Sequence, residues 1–251
     1  MADSFKDHFS TRSADYALYR PTYPAELAER LAALAPGREL ALDCGCGAGQ
    51  LSVLLADVFA QVVATDASAQ QLANASPHPR VAYRHAPAEA SGLADASVDL
   101  LTVAQAAHWF ELDAFYAEAR RVLRTDGVIA LITYGIIEAD GEVGAALSRF
   151  YFDVIGPFWP PERRHVETGY RSLPFPFAEL EPPQLAMRAN WTLEQLLGYV
   201  DTWSAVRVAE ATLGRAPYES FAEALRALWG APDQPREIRW PLSMRIGRTP
   251  G

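Results

Sequence analysis

The segment ALDCGCGAGQ, residues 41–50, places three glycines at alternate positions directly after an apolar run. Glycine disfavours a strand interior, and because it has no Cβ atom it lets a ligand approach the main chain closely. A second apolar run, QVVAT at 61–65, ends at Asp66, about twenty residues after Gly45. A glycine turn between strand and helix, with an acid closing the next strand, is typical of sites that bind an adenosine-containing ligand. The sequence therefore predicts a nucleoside site at this turn.

Strand and helix patterns alternate five times along the first half of the chain. Strands are predicted over 40–44, 61–65, 80–84, 98–103 and 128–133, with helices over 24–34, 67–75 and 112–123 and another that contains Leu51 and Leu55. Because these strands are continuously apolar, they indicate a parallel sheet with both faces covered. Residues 237–245 instead alternate between apolar and polar side chains, which indicates an antiparallel edge strand. We expect an α/β fold with a doubly wound, mostly parallel sheet.

The pattern changes after Tyr134. The aromatic, proline-rich segment GPFWPPERRHVETGYRSLPFPF, residues 156–177, is too long for an ordinary loop and predicts a lid or a binding element. Further helices are expected over 142–154, 191–200 and 218–229, and a strand over 185–189. The chain is predicted to divide into an N-terminal cap segment (1–36), a ligand-binding core (37–134), a helical and aromatic lid insertion (135–184) and a C-terminal part (185–251) that completes the sheet.

The composition narrows the class of partner. The net charge is −9, with a single lysine, which disfavours nucleic acid because phosphate contacts depend on clustered basic residues. No span of about twenty apolar residues predicts a membrane helix, and the first residues are too polar for a signal peptide. Cys44 and Cys46 are expected to be small buried side chains in a reducing compartment, so we expect a cytoplasmic protein. His8, His78 and His85 lack the spacing of metal ligands, and no metal is expected.

The glycine spacing separates two classes of nucleoside ligand. The nicotinamide fingerprint G-x-G-x-x-G fits neither register, since its third glycine falls on Gln50 or Ser52. The acid followed by G-x-G-x-G resembles motif I of the class I S-adenosylmethionine-dependent methyltransferases. The segments DASVDLLTVAQAAHWF, RRVLRTDGVIALITYG and YALYRPTYP are similar to a small-molecule subgroup related to trans-aconitate methyltransferase. This resemblance implies a seven-stranded Rossmann-like sheet with an antiparallel last strand, S-adenosylmethionine as cofactor and a small-molecule acceptor.

The resemblance also implies which residues contact the cofactor. Three glycines would face its methionine tail and ribose, Asp43 would reach the amino group through water or hold nearby backbone, and Asp66 would accept the ribose hydroxyls. Two groups of residues complete this set: Ala67, Ala88 and Glu89 against the adenine, and Gln105, Ala106, Tyr19 and Arg20 near the sulfur and the methionine carboxylate. The glycines are Gly45, Gly47 and Gly49.

The acceptor side is predicted from residues beyond the fourth strand and in the lid. His108 is the candidate catalytic residue, either as a general base or as a group that shapes the pocket, and the second role is favoured because a carboxylate acceptor needs no base. An arginine pair at 163 and 164 is suited to a carboxylate. The candidate acceptor-binding residues are Trp109, Trp159, Arg163, Arg164 and Trp203, which also fit plain packing or solvated roles. Two other functions stay open: a non-catalytic adenosine-ligand-binding protein and a nicotinamide-dependent oxidoreductase.

Overall fold

The computed structural model describes residues 21–249, which divide into two compact units. The first, called the sheet unit, comprises residues 22–136, 162–187 and 240–249. The second, called the helical unit, comprises residues 137–161 and 188–239. The segment predicted as a lid, 135–184, contributes to both units, and its limits stay a prediction.

Five parallel strands form the centre of the sheet in the order β3-β2-β1-β4-β5. The apolar side chains of β1, β2, β4 and β5 are mostly buried because helices cover the sheet, as the continuous apolar pattern predicted. Those of β3, at the edge of the sheet, stay partly exposed. Leu42, for example, lies opposite Val63 on one neighbouring strand and Leu101 on the other, and these three side chains share one buried cluster. The strands are β1 (Leu40–Cys44), β2 (Gln61–Asp66), β3 (Val81–His85), β4 (Val98–Ala104) and β5 (Leu123–Tyr134).

The last strand, β9 (Arg236–Arg248), runs antiparallel to β5, with Val128 opposite Arg248 and Tyr134 opposite Leu242. On its other side β9 pairs with β7 (Ala178–Leu180), also antiparallel. The predicted α/β class, the mostly parallel sheet and the antiparallel last strand are confirmed. The expectation that this strand lies at the edge of the sheet is wrong, because β7 pairs with it on the side away from β5. Within residues 21–249 the sheet has nine strands instead of seven, because the short strands β6 (Glu138–Ala139) and β8 (Ala186–Trp191) also pair with β9.

Helices of the sheet unit follow the strands as predicted. They are α1 (Ala25–Leu34), α2 (Gln50–Ala56), α3 (Ala69–Ala73), α4 (Leu112–Val122) and, later in the chain, α6 (Arg163–Glu167). Helix α4 turns Phe115, Ala119 and Val122 into the core, where all three are at most 1% exposed. This spacing of three and four residues is the amphipathic pattern that predicted the helix.

The helical unit contains α5 (Gly141–Arg149), α7 (Leu193–Asp201), α8 (Ser204–Leu213) and α9 (Ala216–Trp229). The helix predicted over 142–154 changes after Arg149 into a π-helix, Phe150–Val154. Helix α8 was not predicted, because its buried residues, Ala205, Val206 and Ala209, are small and give a weak apolar pattern.

Candidate functional site: the glycine turn and the carboxyl edge of the sheet

The three glycines of the turn between β1 and α2 all have left-handed backbones, with φ of +69° at Gly45, +56° at Gly47 and +80° at Gly49. At two of them a side chain would also collide with the protein. A Cβ at Gly45 would lie 2.6 Å from the Cβ of Ala106, and one at Gly49 would lie 2.1 Å from Tyr83 Oη. At Gly47 the nearest atom would be Gln71 Oε1, 3.9 Å away. Among the described residues, Gly47 therefore has the most room beside its main chain of the three glycines.

Asp43 lies beneath this turn and is 1% exposed. Its two carboxylate oxygens accept hydrogen bonds from the hydroxyls of Ser52 (2.6 Å) and Thr102 (2.9 Å). Burial raises the pKa of Asp43 to about 6, although the two hydroxyls oppose the shift. These bonds tie the end of β1 to the first turn of α2 and to β4. The structure places Asp43 where it fixes the turn from below.

Asp66, at the end of β2, faces the turn directly. Its carboxylate oxygens accept the backbone N–H of Gly47 (2.8 Å) and that of Ser68 (2.8 Å). A carboxylate has about four lone-pair sites, so these bonds leave acceptor positions on both oxygens. Ala67 follows as an exposed residue, and its carbonyl lies 2.9 Å from His85 Nε2.

The segment after β3 continues the same edge. The N–H of Ala86 donates to the carbonyl of Asp66 (3.1 Å), which brings the chain back beside β2. Ala88 is 9% exposed, while Glu89 is partly exposed and its Oε1 accepts the N–H of Glu111 (3.1 Å). The structure therefore brings Ala88 and Glu89 to the carboxyl edge of the parallel strands, where ligands bind in such sheets.

Gln105 ends β4 with a φ of +59°, a conformation that costs free energy for a residue with a Cβ. Three bonds hold it there. Its N–H donates to the carbonyl of Ile132 (2.9 Å), its Oε1 accepts the hydroxyl of Thr133 (3.1 Å), and its Nε2 donates to the carbonyl of Tyr134 (3.4 Å). The next residue, Ala106, packs against Gly45. This strained backbone marks the junction of β4 with the glycine turn.

His108 follows on a short 3-10 helix, Ala107–Trp109. Its Nδ1 lies 2.9 Å from the hydroxyl of Tyr170, a fully buried residue that the sequence did not single out. Burial lowers the pKa of His108 to about 4, and the nearby His165 and Arg163 add to this shift. His108 is therefore a neutral imidazole near pH 7. Trp109 packs against the His108 ring, with centroids 4.7 Å apart, and is 49% exposed.

The remaining acceptor candidates fall in different parts of the chain. Arg163 begins α6 in the sheet unit and lies close enough to His108 to affect its pKa, whereas Arg164 is exposed. Trp159 and Trp203 both belong to the helical unit, where their ring centroids are 5.8 Å apart and both rings contact Tyr151. Tyr19 and Arg20 lie outside the described residues.

Neither a metal site nor a membrane-spanning helix is found among residues 21–249. No group of three or more His, Cys, Asp or Glu side chains in that range is arranged to hold a metal ion. Among the same residues, no helix has the length and apolar character needed to span a membrane.

The comparisons with known proteins agree with one another. A family model of the methyltransferase domain matches residues 42–131, the segment from the glycine turn to β5. A candidate methyltransferase of Dictyostelium discoideum is 35% identical over 204 residues, which cover 80% of this chain and 78% of that protein. The solved structure of a candidate type II methyltransferase from Anaeromyxobacter dehalogenans is 49% identical, with a TM-score of 0.89 over 92% of this chain and 99% of that one. This chain is a class I S-adenosylmethionine-dependent methyltransferase.

Membership of this family makes S-adenosylmethionine the methyl donor, and the glycine turn of the methyltransferase fits such a ligand on two counts. Among residues 21–249, a Cβ at Gly47 would meet only Gln71 Oε1, at van der Waals distance, so the main chain there is accessible to a bound nucleoside or its tail. Asp66 keeps acceptor positions on both oxygens next to that space, as the two hydroxyls of a ribose require.

Proposed function

We propose that this methyltransferase transfers the methyl group to a carboxylate oxygen of a small organic acid. The observation that carries the proposal is the guanidinium of Arg163, which lies near the neutral imidazole of His108 at the carboxyl edge of the sheet, with Glu162 as the opposing charge. An anionic acceptor would gain electrostatic stabilisation there that a neutral one would not. The resemblance of the sequence to relatives of trans-aconitate methyltransferase supports the same acceptor class.

For the donor, we propose that the turn residues Gly45, Gly47 and Gly49 lie against its methionine tail and ribose. Asp66 accepts the ribose hydroxyls, and Asp43 acts from below by fixing the turn. Two further groups complete the donor contacts in this proposal: Ala67, Ala88 and Glu89 at the adenine, and Gln105 with Ala106 near the sulfur. Tyr19 and Arg20 are proposed for the methionine carboxylate.

The bound donor supplies a methyl group that its positive sulfur has already activated toward displacement. The protein's task is then to align the acceptor and to exclude water. We propose that Arg163 and Arg164 bind the acid as hydrogen-bonding cations and that Trp109 lies beside it. Trp159 and Trp203 remain candidates, on the sequence alone, for contact with the apolar part of the acceptor. A carboxylate is already an anion near pH 7, so His108 removes no proton and acts by positioning the acceptor.

The arginine proposal is tested by the double change Arg163→Ala and Arg164→Ala. The KM for acid acceptors should rise on the order of 100-fold, because charged hydrogen bonds contribute about 1.5–3 kcal/mol each. The Kd of S-adenosylhomocysteine, measured by calorimetry, should stay the same. Acceptors are first found by incubating pooled carboxylic acids and neutral metabolites with labelled S-adenosylmethionine.

The control is Arg30→Ala, an exposed arginine of α1 that pairs only with Glu26 among the ion pairs of the described residues. It removes the same charge and should leave the KM unchanged. A double arginine variant that retains the wild-type KM, or a screen in which only neutral metabolites are methylated, would contradict the proposed acceptor class.

A further inference from the structure

We propose that Tyr170 is a positioning residue that holds His108 in its neutral Nε2–H form, so that His108 donates a hydrogen bond to an anionic acceptor. The inference deepens the proposed function and rests on it for the identity of the acceptor. It assigns a task to a residue that lies 62 positions from its partner in the chain.

The first support is the environment of the Tyr170 hydroxyl. The residue is 0% exposed, and its oxygen lies 2.9 Å from His108 Nδ1. The hydroxyl also interacts with the N–H of Ala107 and with the side chain of Thr133, and Thr133 in turn donates to Gln105 Oε1. The hydroxyl therefore links His108 to the strained end of β4.

The second support is the backbone of Tyr170, which has a φ of +62°. A bulky residue rarely adopts this conformation, and such strain persists only where surrounding contacts enforce it. Here the N–H of Tyr170 donates to the carbonyl of His165 (2.7 Å), and Arg245 Nη1 donates to the carbonyl of Leu173 (2.7 Å) just beyond. Gly169, the preceding residue, is also left-handed, and a Cβ on it would lie 2.8 Å from Ser243 Cβ.

The direction of the hydrogen bond follows from the acidity of the groups. A phenol is a stronger acid than an alkyl hydroxyl, and an imidazole nitrogen is a stronger base than a hydroxyl oxygen. The phenol proton is therefore best placed on the bond to His108 Nδ1. With Nδ1 accepting, the proton of the neutral ring sits on Nε2.

The charges around His108 suit this form. His165 and Arg163 disfavour a second proton on the ring, Glu162 has the opposite effect, and burial disfavours the charge most strongly. His108 thus stays neutral near pH 7 and offers an N–H to a carboxylate. A carboxylate held by Nε2–H keeps its other oxygen for the methyl group.

The tautomer is measured directly by NMR on protein with ¹⁵N-labelled histidine, in which proton–nitrogen correlations distinguish Nδ1–H from Nε2–H. The chain has five histidines, and His108→Gln identifies the signal of His108. The wild type should show Nε2–H, with Nδ1 as a hydrogen-bonded acceptor. Tyr170→Phe should abolish that hydrogen bond and allow both tautomers. A wild-type ring with its proton on Nδ1 would overturn the proposal.

The matched control is Tyr116→Phe. Tyr116 is 2% exposed, and its hydroxyl donates to the carbonyl of Pro174 (2.7 Å), so the same atom and one hydrogen bond are lost from the same unit. Tyr170→Phe should lower the urea midpoint of unfolding at least as much as Tyr116→Phe, because the Tyr170 hydroxyl also interacts with Ala107 and Thr133. Only Tyr170→Phe should change the His108 signal.

Kinetics provide a second readout. Tyr170→Phe should raise the KM for the acid acceptor on the order of three- to tenfold and change kcat little, because a hydrogen bond to the acceptor carboxylate is made before reaction as well as during it. The Kd of S-adenosylhomocysteine should not change. Equal KM values for the Tyr170 and Tyr116 variants would count against the proposal.

The NMR and kinetic experiments distinguish a failure of this inference from a failure of the proposed function. If no acid is methylated, the acceptor class is wrong, but the wild-type NMR signal still decides the tautomer. If Tyr170→Phe does not fold, the wild-type signal again decides. If acids are methylated and His108 carries its proton on Nδ1, only the role of Tyr170 is overturned.

Discussion

Replacing Gly47 with alanine should separate binding of the methyl donor from stability of the fold. Gly47 has a φ of +56°, and the nearest protein atom to an added Cβ is Gln71 Oε1 at 3.9 Å. The left-handed conformation costs an alanine about 1–2 kcal/mol, and no collision adds to it. A domain with a typical stability of about 5–15 kcal/mol stays folded after this loss. A nucleoside that rests on the main chain would meet the new methyl group, so we expect its affinity to fall at least about tenfold.

The matched control is Gly92→Ala. Gly92 is exposed, has a φ of +71° and has no atom within 4 Å of an added Cβ, so the backbone cost should be the same. Stability is measured by urea unfolding, and the Kd of S-adenosylmethionine and S-adenosylhomocysteine by calorimetry. Both variants should lose similar stability, and only Gly47→Ala should lose affinity. If Gly47→Ala binds both nucleosides as tightly as Gly92→Ala, the donor does not lie on this turn.

Two further changes test the site. Asp66→Asn should weaken the binding of S-adenosylhomocysteine about 10- to 100-fold in calorimetry, because an amide NH₂ group replaces a carboxylate oxygen that accepts the N–H of Gly47 or Ser68. An unchanged Kd would be inconsistent with the ribose contact. Asp43 and His108 should contribute opposite pH dependences to stability, each about 3 kcal/mol. Because the pKa of Asp43 is raised, its contribution to stability is fully present below pH 3.8 and is lost as the pH rises through about 6. Because the pKa of His108 is lowered, its contribution is fully present above pH 6.5 and is lost as the pH falls through about 4. Urea unfolding between these limits should therefore show that Asp43→Asn becomes more sensitive to acid than the wild type, and parallel curves for the two proteins would refute the burial argument.

The glycine turn and the acid beside it, which form the proposed donor site, could be predicted because their signals are local. A glycine at each left-handed position and an acid at the end of β2 are short-range requirements of the turn, and the strand and helix patterns on either side placed them at one edge of a parallel sheet. The same patterns missed α8, whose buried side chains are small, and the π-helix after Arg149, which continues a helical pattern without a break.

The hydrogen-bond partners of Asp43 could not be predicted from its position in the glycine motif. The family resemblance implied that Asp43 holds backbone near the cofactor or reaches its amino group through water. In the fold its oxygens are taken by the hydroxyls of Ser52 and Thr102, and Thr102 lies 59 positions away on the neighbouring strand. No local sequence pattern identifies Thr102 as the partner of Asp43, because neighbouring parallel strands are separated in the chain by long connecting segments.

The sequence by itself determined the sheet, its order of strand and helix, and the glycine turn, since backbone conformation and apolar periodicity act over a few residues. Only the tertiary structure decided which side chains meet at the edge of that sheet. His108 and Tyr170 come from segments 62 residues apart, and although the sequence singles out His108, nothing in it marks Tyr170 as its partner. Their contact exists because the segment carrying Tyr170 is held in a left-handed turn beside β4 and β5, an arrangement set by packing and by hydrogen bonds between distant parts of the chain.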